Sequence, residues 1–149
     1  DELLNIIPSN SILTPHVGEF RRLVGEWKND LQRQDLLKNL SMKLKSFIIL
    51  KDAFSSIGCP NGNILYNSTG NPGMSTAGSG DVLTGIITSL LAQGYTQNDS
   101  AVIGTYIHGL SGDIAKKEIG EISLTALDLV DKLPIAFNQI TKSKKIGTL

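Results

Sequence analysis

The stretch Asn71-Pro72-Gly73-Met74-Ser75-Thr76-Ala77-Gly78-Ser79-Gly80-Asp81 runs directly into Val82-Leu83-Thr84-Gly85-Ile86-Ile87-Thr88-Ser89-Leu90-Leu91. Its second half is the easier to read. Val82, Leu83, Ile86, Ile87, Leu90 and Leu91 recur at helical spacing, which predicts a helix over 81–93 that Gly94 ends. The small residues Gly78, Ser79 and Gly80 therefore stand at a helix N-terminus, where the backbone can approach a ligand closely and the first free N–H groups point outward. The helix dipole adds about half a positive charge at the same place, so the turn suits a transferring phosphoryl group whose negative charge needs stabilising.

Asp81 would repel a phosphate if it only sat beside it, so its presence suggests a role with the other reactant. Placed at the attacking side, it can take the proton of a substrate hydroxyl that attacks the phosphorus. The same residues also suit a plain turn in which Asp81 caps the helix.

Working outward, Ser11-Ile12-Leu13-Thr14 reads as a strand stopped at Pro15, and Phe20, Leu23 and Val24 mark one face of a short helix that Gly25 ends. A second helix is predicted over 30–45, burying Leu31, Leu36, Leu37, Leu40 and Leu44. Phe47-Ile48-Ile49-Leu50 is apolar throughout and too short for a helix, so it reads as a strand covered on both faces. The segments 55–59 and 64–66 flank Pro60-Asn61-Gly62-Asn63, whose Asn-Gly pair suits a hairpin. After the glycine-rich run, helices are expected over 81–93 and 99–117 and from Ser123, with Pro134 starting one more turn. Strands first and helices last indicate a layered α/β domain. The tail Lys142-Ser143-Lys144-Lys145 reads as a solvated end.

The chain has 149 residues, 40% of them hydrophobic, which suits one domain with one core. Fourteen basic and fourteen acidic residues cancel, so no net field draws nucleic acid or an anionic membrane, and an anionic ligand must be held locally. No apolar run approaches the roughly 20 residues of a membrane span. Cys59 is the single cysteine, so no intrachain disulfide can form, which fits the reducing cytoplasm. The two histidines and Cys59 lie far apart, without metal-ligand spacing, and no metal ligand is assigned.

Several separated segments, in order, resemble one family. They are Thr14-Pro15-His16-Val17-Gly18-Glu19-Phe20, Ile49-Leu50-Lys51, the run from Gly70 to Gly85, His108-Gly109-Leu110-Ser111-Gly112-Asp113 and Ser123-Leu124-Thr125-Ala126-Leu127-Asp128-Leu129. The family is that of the ADP/ATP-dependent NAD(P)H-hydrate dehydratases, and the resemblance runs through nearly the whole chain. It implies a ribokinase-like three-layer αβα sandwich, of which residues 1–149 would be the C-terminal portion, lacking the first βα units. It also implies repair of the S-form of hydrated NADH and NADPH by phosphorylation and elimination.

By the same resemblance Asp81 matches the catalytic aspartate at the substrate, and Gly78, Ser79 and Gly80 match the anion hole. His16 would contact the hydrated dinucleotide. Lys51, Asp52, Ala53, Phe54 and Ser55 would line the nucleotide site, which Gly80 would touch as well. ADP or ATP would donate the phosphoryl group, with Mg2+ expected from polyphosphate chemistry, and the chain would form a homo-oligomer or associate with the missing N-terminal portion. Two positions depart from the family pattern: Asp52 stands where Gly is usual and Val17 where Pro is usual. His108 and Asp113 are assigned to helix packing and capping, and Met74 and Trp27 receive no role. Other readings are a small-molecule kinase of the same superfamily, of the hydroxymethylpyrimidine or hydroxyethylthiazole type, and a non-catalytic nucleotide-binding module.

Overall fold

The computed structural model describes residues 2–143. One four-stranded sheet, ordered β1-β2-β3-β4, comprises β1 (Ile12–Leu13), β2 (Phe47–Leu50), β3 (Ser56–Gly58) and β4 (Ile64–Tyr66). β1 and β2 are parallel, whereas β2–β3 and β3–β4 are antiparallel. The helices are α1 (Glu2–Asn5), α2 (Val17–Val24), α3 (Asp30–Leu44), α4 (Ser79–Ala92), α5 (Gln97–Ile119) and α6 (Ala126–Ser143). No helix among the described residues is long and apolar enough to cross a membrane.

All four residues of β2 are buried, and their side chains alternate between two layers. Ile48 and Leu50 pack with Phe20, Leu37, Leu40 and Leu44 of α2 and α3. Phe47 and Ile49 pack with Ile57, Cys59, Leu83, Ile87 and Ala101, which brings α4 and α5 onto the opposite face. The sheet is thus covered on both sides, as the apolar run 47–50 predicts. The Asn61-Gly62 turn also forms the expected hairpin, with Gly62 at φ 86° and its N–H donating to the Cys59 carbonyl at 2.9 Å.

Three details differ from expectation. Leu31 lies in the first turn of α3 and is 72% exposed, because the core face of that helix begins only at Leu36 and Leu37. The last helix opens after Thr125, not at Ser123: the Thr125 N–H donates to Asp128 Oδ2 at 2.8 Å, while the Ser123 hydroxyl turns back to the Ile119 carbonyl. Pro134 lies inside α6 instead of starting a turn. Of the basic tail, Lys144 and Lys145 lie outside the described residues.

Candidate functional site

The parallel pairing of β1 with β2 continues beyond the strands as a bridge between His16 and Lys51, and the Lys51 N–H donates to the Pro15 carbonyl at 2.9 Å. Two residues 35 positions apart are thereby fixed side by side at the carboxyl ends of parallel strands, the place where open α/β sheets bind ligands. Both line a cavity of about 640 Å3, and Asp52, Ala53, Ser55, Ser79 and Gly80 line it too.

His16 is also the N-cap of α2. Its Nδ1 accepts from the N–H groups of Gly18 at 3.0 Å and Glu19 at 3.2 Å, while Glu19 Oε2 accepts from the His16 N–H at 2.8 Å, which completes a capping box. This arrangement fixes the tautomer: Nδ1 is an acceptor, so the neutral ring carries its proton on Nε2. The bond from the His16 N–H lowers the Glu19 pKa and keeps that carboxylate ionised.

The first turn of α4 faces Lys51. Gly78 is the N-cap in the left-handed region at φ 83°, a conformation that glycine adopts without strain. The N–H groups of Asp81 and Val82 donate to the Gly78 carbonyl, and that of Ser79 donates to the Thr76 carbonyl. The Gly80 N–H has no hydrogen-bond partner among the described residues. A Cβ built on Gly80 would stand 2.9 Å from Lys51 Nζ, so the ammonium group lies against the residue that carries the free backbone donor. An anion is the ligand that this pairing suits.

Phe54 is 79% exposed and does not line the cavity with its neighbours Ala53 and Ser55. Asp81 is exposed in the first turn of α4; neither it nor Gly78 belongs to the cavity wall. The Asp81 side chain makes no hydrogen bond or ion pair among the described residues.

One face of α5 forms the other wall, and it holds residues that the sequence reading set aside as packing. His108 Nε2 lies 2.9 Å from the Ser79 carbonyl and 3.3 Å from Ser79 Oγ. Burial pushes the His108 pKa down to about 4; the bond to Ser79 opposes that fall and the charge of Lys51 adds to it. Asp113 accepts from the Gly70 N–H at 2.9 Å and from Asn71 Nδ2 at 3.0 Å, which anchors the start of the glycine-rich run. The hydroxyl of Thr69 donates to the Tyr106 carbonyl at 2.8 Å. Met74 packs against Gly112 and lines the cavity. The sequence carried a signal for this face: Thr105, His108, Gly109 and Gly112 follow helical i, i+3, i+4, i+7 spacing, and all are polar or small.

A mixed sheet between helical layers, with a glycine-rich helix start beside the carboxyl ends of parallel strands, defines a ribokinase-like α/β protein. A solved ribokinase-like superfamily protein from Enterococcus faecalis matches with a TM-score of 0.65 and 32% identity, over 93% of this chain and 45% of that one. The chain belongs to the NAD(P)H-hydrate dehydratase family, whose sequence profile matches residues 5–135. It is 42% identical over 132 residues to the bifunctional NAD(P)H-hydrate repair enzyme of Thermofilum pendens, a match that covers 87% of this chain and 25% of that protein. It is similar in structure to the ADP/ATP-dependent NAD(P)H-hydrate dehydratase of Bacillus subtilis, crystallised with ATP/Mg2+, with a TM-score of 0.80 and 33% identity over 87% of this chain and 49% of that one. The chain thus spans a quarter to a half of the length of these relatives.

Proposed function

We propose that this chain serves the nucleotide-dependent dehydration of the S-form of hydrated NADH and NADPH, returning NAD(P)H. The observation that carries the reading is the Lys51 ammonium lying against Gly80, whose N–H has no partner among the described residues, in a cavity that His16 also lines. Family membership supplies the substrate class.

In this reading the hydroxyl on the hydrated nicotinamide ring attacks the terminal phosphorus of ADP or ATP. The new O–P bond forms as the bond to the leaving nucleotide breaks, and Asp81 takes the hydroxyl proton. The Gly80 N–H and Lys51 stabilise charge on the transferring group, and Gly78 and Ser79 shape the turn that presents it. The phosphate then leaves with the electron pair of the C–O bond, a proton leaves the neighbouring carbon, and the ring double bond returns. His16, whose Nε2 lies 3.4 Å from Glu19 Oε1, offers its Nε2–H to the dinucleotide, and Lys51, Asp52, Ala53 and Ser55 line the nucleotide site.

Among the described residues no group of three or more His, Cys, Asp or Glu side chains converges. A Mg2+ ion accompanying the nucleotide would therefore be held chiefly by phosphate oxygens and water, which is how this cation commonly binds.

The test is to incubate the protein with hydrated NADH and either ADP or ATP and to follow the return of NADH absorbance. Recovery that requires nucleotide is expected. No recovery with either nucleotide would sink the reading.

A further inference from the structure

His108 does more than fill space between α5 and α4. A carbonyl oxygen can only accept, so the 2.9 Å contact with Ser79 O places a proton on Nε2 and makes His108 the donor. Ser79 Oγ, at 3.3 Å, lies within reach of the same N–H. The Ser79 carbonyl belongs to the peptide plane that also carries the Gly80 N–H, and in a trans peptide these two groups point in opposite directions. That carbonyl opens the α4 ladder, and the additional bond from His108 fixes its peptide plane and with it the direction of the Gly80 N–H.

We propose that His108 is a positioning residue for the anion-binding turn, its Nε2–H holding the Ser79 carbonyl so that the Gly80 N–H stays directed at the transferring phosphoryl group. The proposal rests on the dehydratase reading for the identity of that group, and on geometry alone for the positioning. Two further observations support it. The Gly80 N–H has no other partner to orient it, so its direction depends on its own peptide plane. The ring also stays neutral, because burial pushes its pKa down to about 4, so no second positive charge competes with Lys51 for the anion. A lysine or arginine at position 108 would donate too, but would add charge behind the turn rather than orient it.

The experiment compares His108→Leu, His108→Gln and His108→Asn. A glutamine amide nitrogen can overlay imidazole Nε2, whereas asparagine falls one bond short. Two quantities are measured: kcat and KM for the nucleotide with hydrated NADH as substrate, and amide hydrogen exchange at Gly80. Loss of the donor is expected to lower kcat roughly tenfold to hundredfold while the nucleotide KM moves less than about threefold, since a misaimed donor costs most where charge develops. Gly80 exchange in the nucleotide-bound protein should quicken in the leucine and asparagine variants, and glutamine should restore both quantities. A His108→Leu protein with wild-type kcat and unchanged Gly80 exchange would overturn the proposal, and so would a glutamine variant as impaired as the asparagine one. If leucine prevents folding, the glutamine and asparagine pair still decides. Should the wild-type protein repair no hydrated NADH, the dehydratase reading falls, while Gly80 exchange with bound nucleotide still decides whether His108 positions the turn.

Discussion

Arg33 Nη1 lies 2.6 Å from Asp52 Oδ2, which reaches from α3 to a residue of the cavity wall. The other Asp52 oxygen accepts the Ala53 N–H at 2.8 Å, so both oxygens are occupied within the protein. A carboxylate beside the proposed polyphosphate site would be unfavourable alone, and here a cation meets it. Removing that cation should leave the charge uncompensated: Arg33→Ala is expected to weaken nucleotide binding about two- to fivefold, ATP nearer the upper figure, in line with the ~1 kcal/mol upper range for a partly exposed pair. Adding Asp52→Gly to that variant should return the affinity. Calorimetric titration with each nucleotide checks both steps, and an unchanged Kd in the single variant would show that the pair is a surface contact without bearing on the site.

His16 has two functions that substitution can separate. Its Nδ1 caps α2, and its Nε2 side is the proposed substrate contact. His16→Ala should cost about 1 kcal/mol of stability through loss of the cap and should also raise the KM for hydrated NADH. Asparagine is itself a good N-cap, so His16→Asn should keep the thermal midpoint near wild type while the KM still rises. Equal KM values in wild type and the asparagine variant would confine His16 to capping.

The pH dependence of stability follows from His108. Its folded-state pKa of about 4 lies below the ordinary value of 6.5, so the unfolded chain binds a proton more readily. The contribution is fully present above pH 6.5 and is lost as the pH falls towards 4, with a slope of at most about 1.4 kcal/mol per pH unit and a total on the order of 2–3 kcal/mol. Glu19, whose carboxyl pKa is lowered, adds its loss at the acid end of that window and beyond, at pH values under 4.5. Urea unfolding of wild type and His108→Gln between pH 7 and pH 4 (about neutral to the folded pKa) checks this. The glutamine variant should be the flatter of the two.

How much of this was legible beforehand depended on whether the signal was local. The β2 strand and the α4 helix announce themselves through unbroken hydrophobic period, and the Asn61-Gly62 turn through the positive φ that its glycine supplies. The glycine-rich helix start was legible for the same reason, since a helix start and its small residues are neighbours in the chain. The partners of that turn were not. Lys51, placed with Gly80 at the nucleotide site through the family resemblance alone, and His108, assigned to packing, reach Gly80 and Ser79 from 29 residues away, at the end of β2 and along α5, and a helical histidine among apolar neighbours looks the same whether it fills a core or holds a loop. Arg33 was invisible for a similar reason: nothing in α3 marks which of its polar residues turns toward Asp52.

Two glycines of α5 give contrasting expectations. A Cβ at Gly109 would stand 2.6 Å and 2.7 Å from the backbone C and O of Thr69, and backbone cannot step aside without moving the loop. At Gly112 the atoms met are those of the Met74 side chain, the nearest at 2.3 Å, and that chain can turn away. Gly109→Ala is therefore expected to cost about 1–3 kcal/mol and to reduce nucleotide binding by displacing the segment that leads into the glycine-rich run. Gly112→Ala should cost less and spare binding. Denaturant midpoints and nucleotide titration of the two variants check the order, and a reversal would mean that the loop yields more easily than Met74.

Asp81 supplies the prediction that separates chemistry from architecture. Its carboxylate makes no hydrogen bond or ion pair among the described residues, so as a structural group it contributes only through the α4 dipole, worth about 0.3–1 kcal/mol. Asp81→Asn keeps size and polarity and removes the proton acceptor. If Asp81 takes the substrate proton, kcat should fall by roughly 10²–10⁴ while nucleotide affinity stays close to wild type or improves, because a negative charge near phosphate has been removed. The thermal midpoint should move by only a few degrees. Turnover, nucleotide titration and thermal unfolding of the one variant together decide the matter: a large loss of stability with activity lost in proportion would make Asp81 a structural residue, whereas a stable, nucleotide-binding, inactive protein would place the proton transfer at this carboxylate.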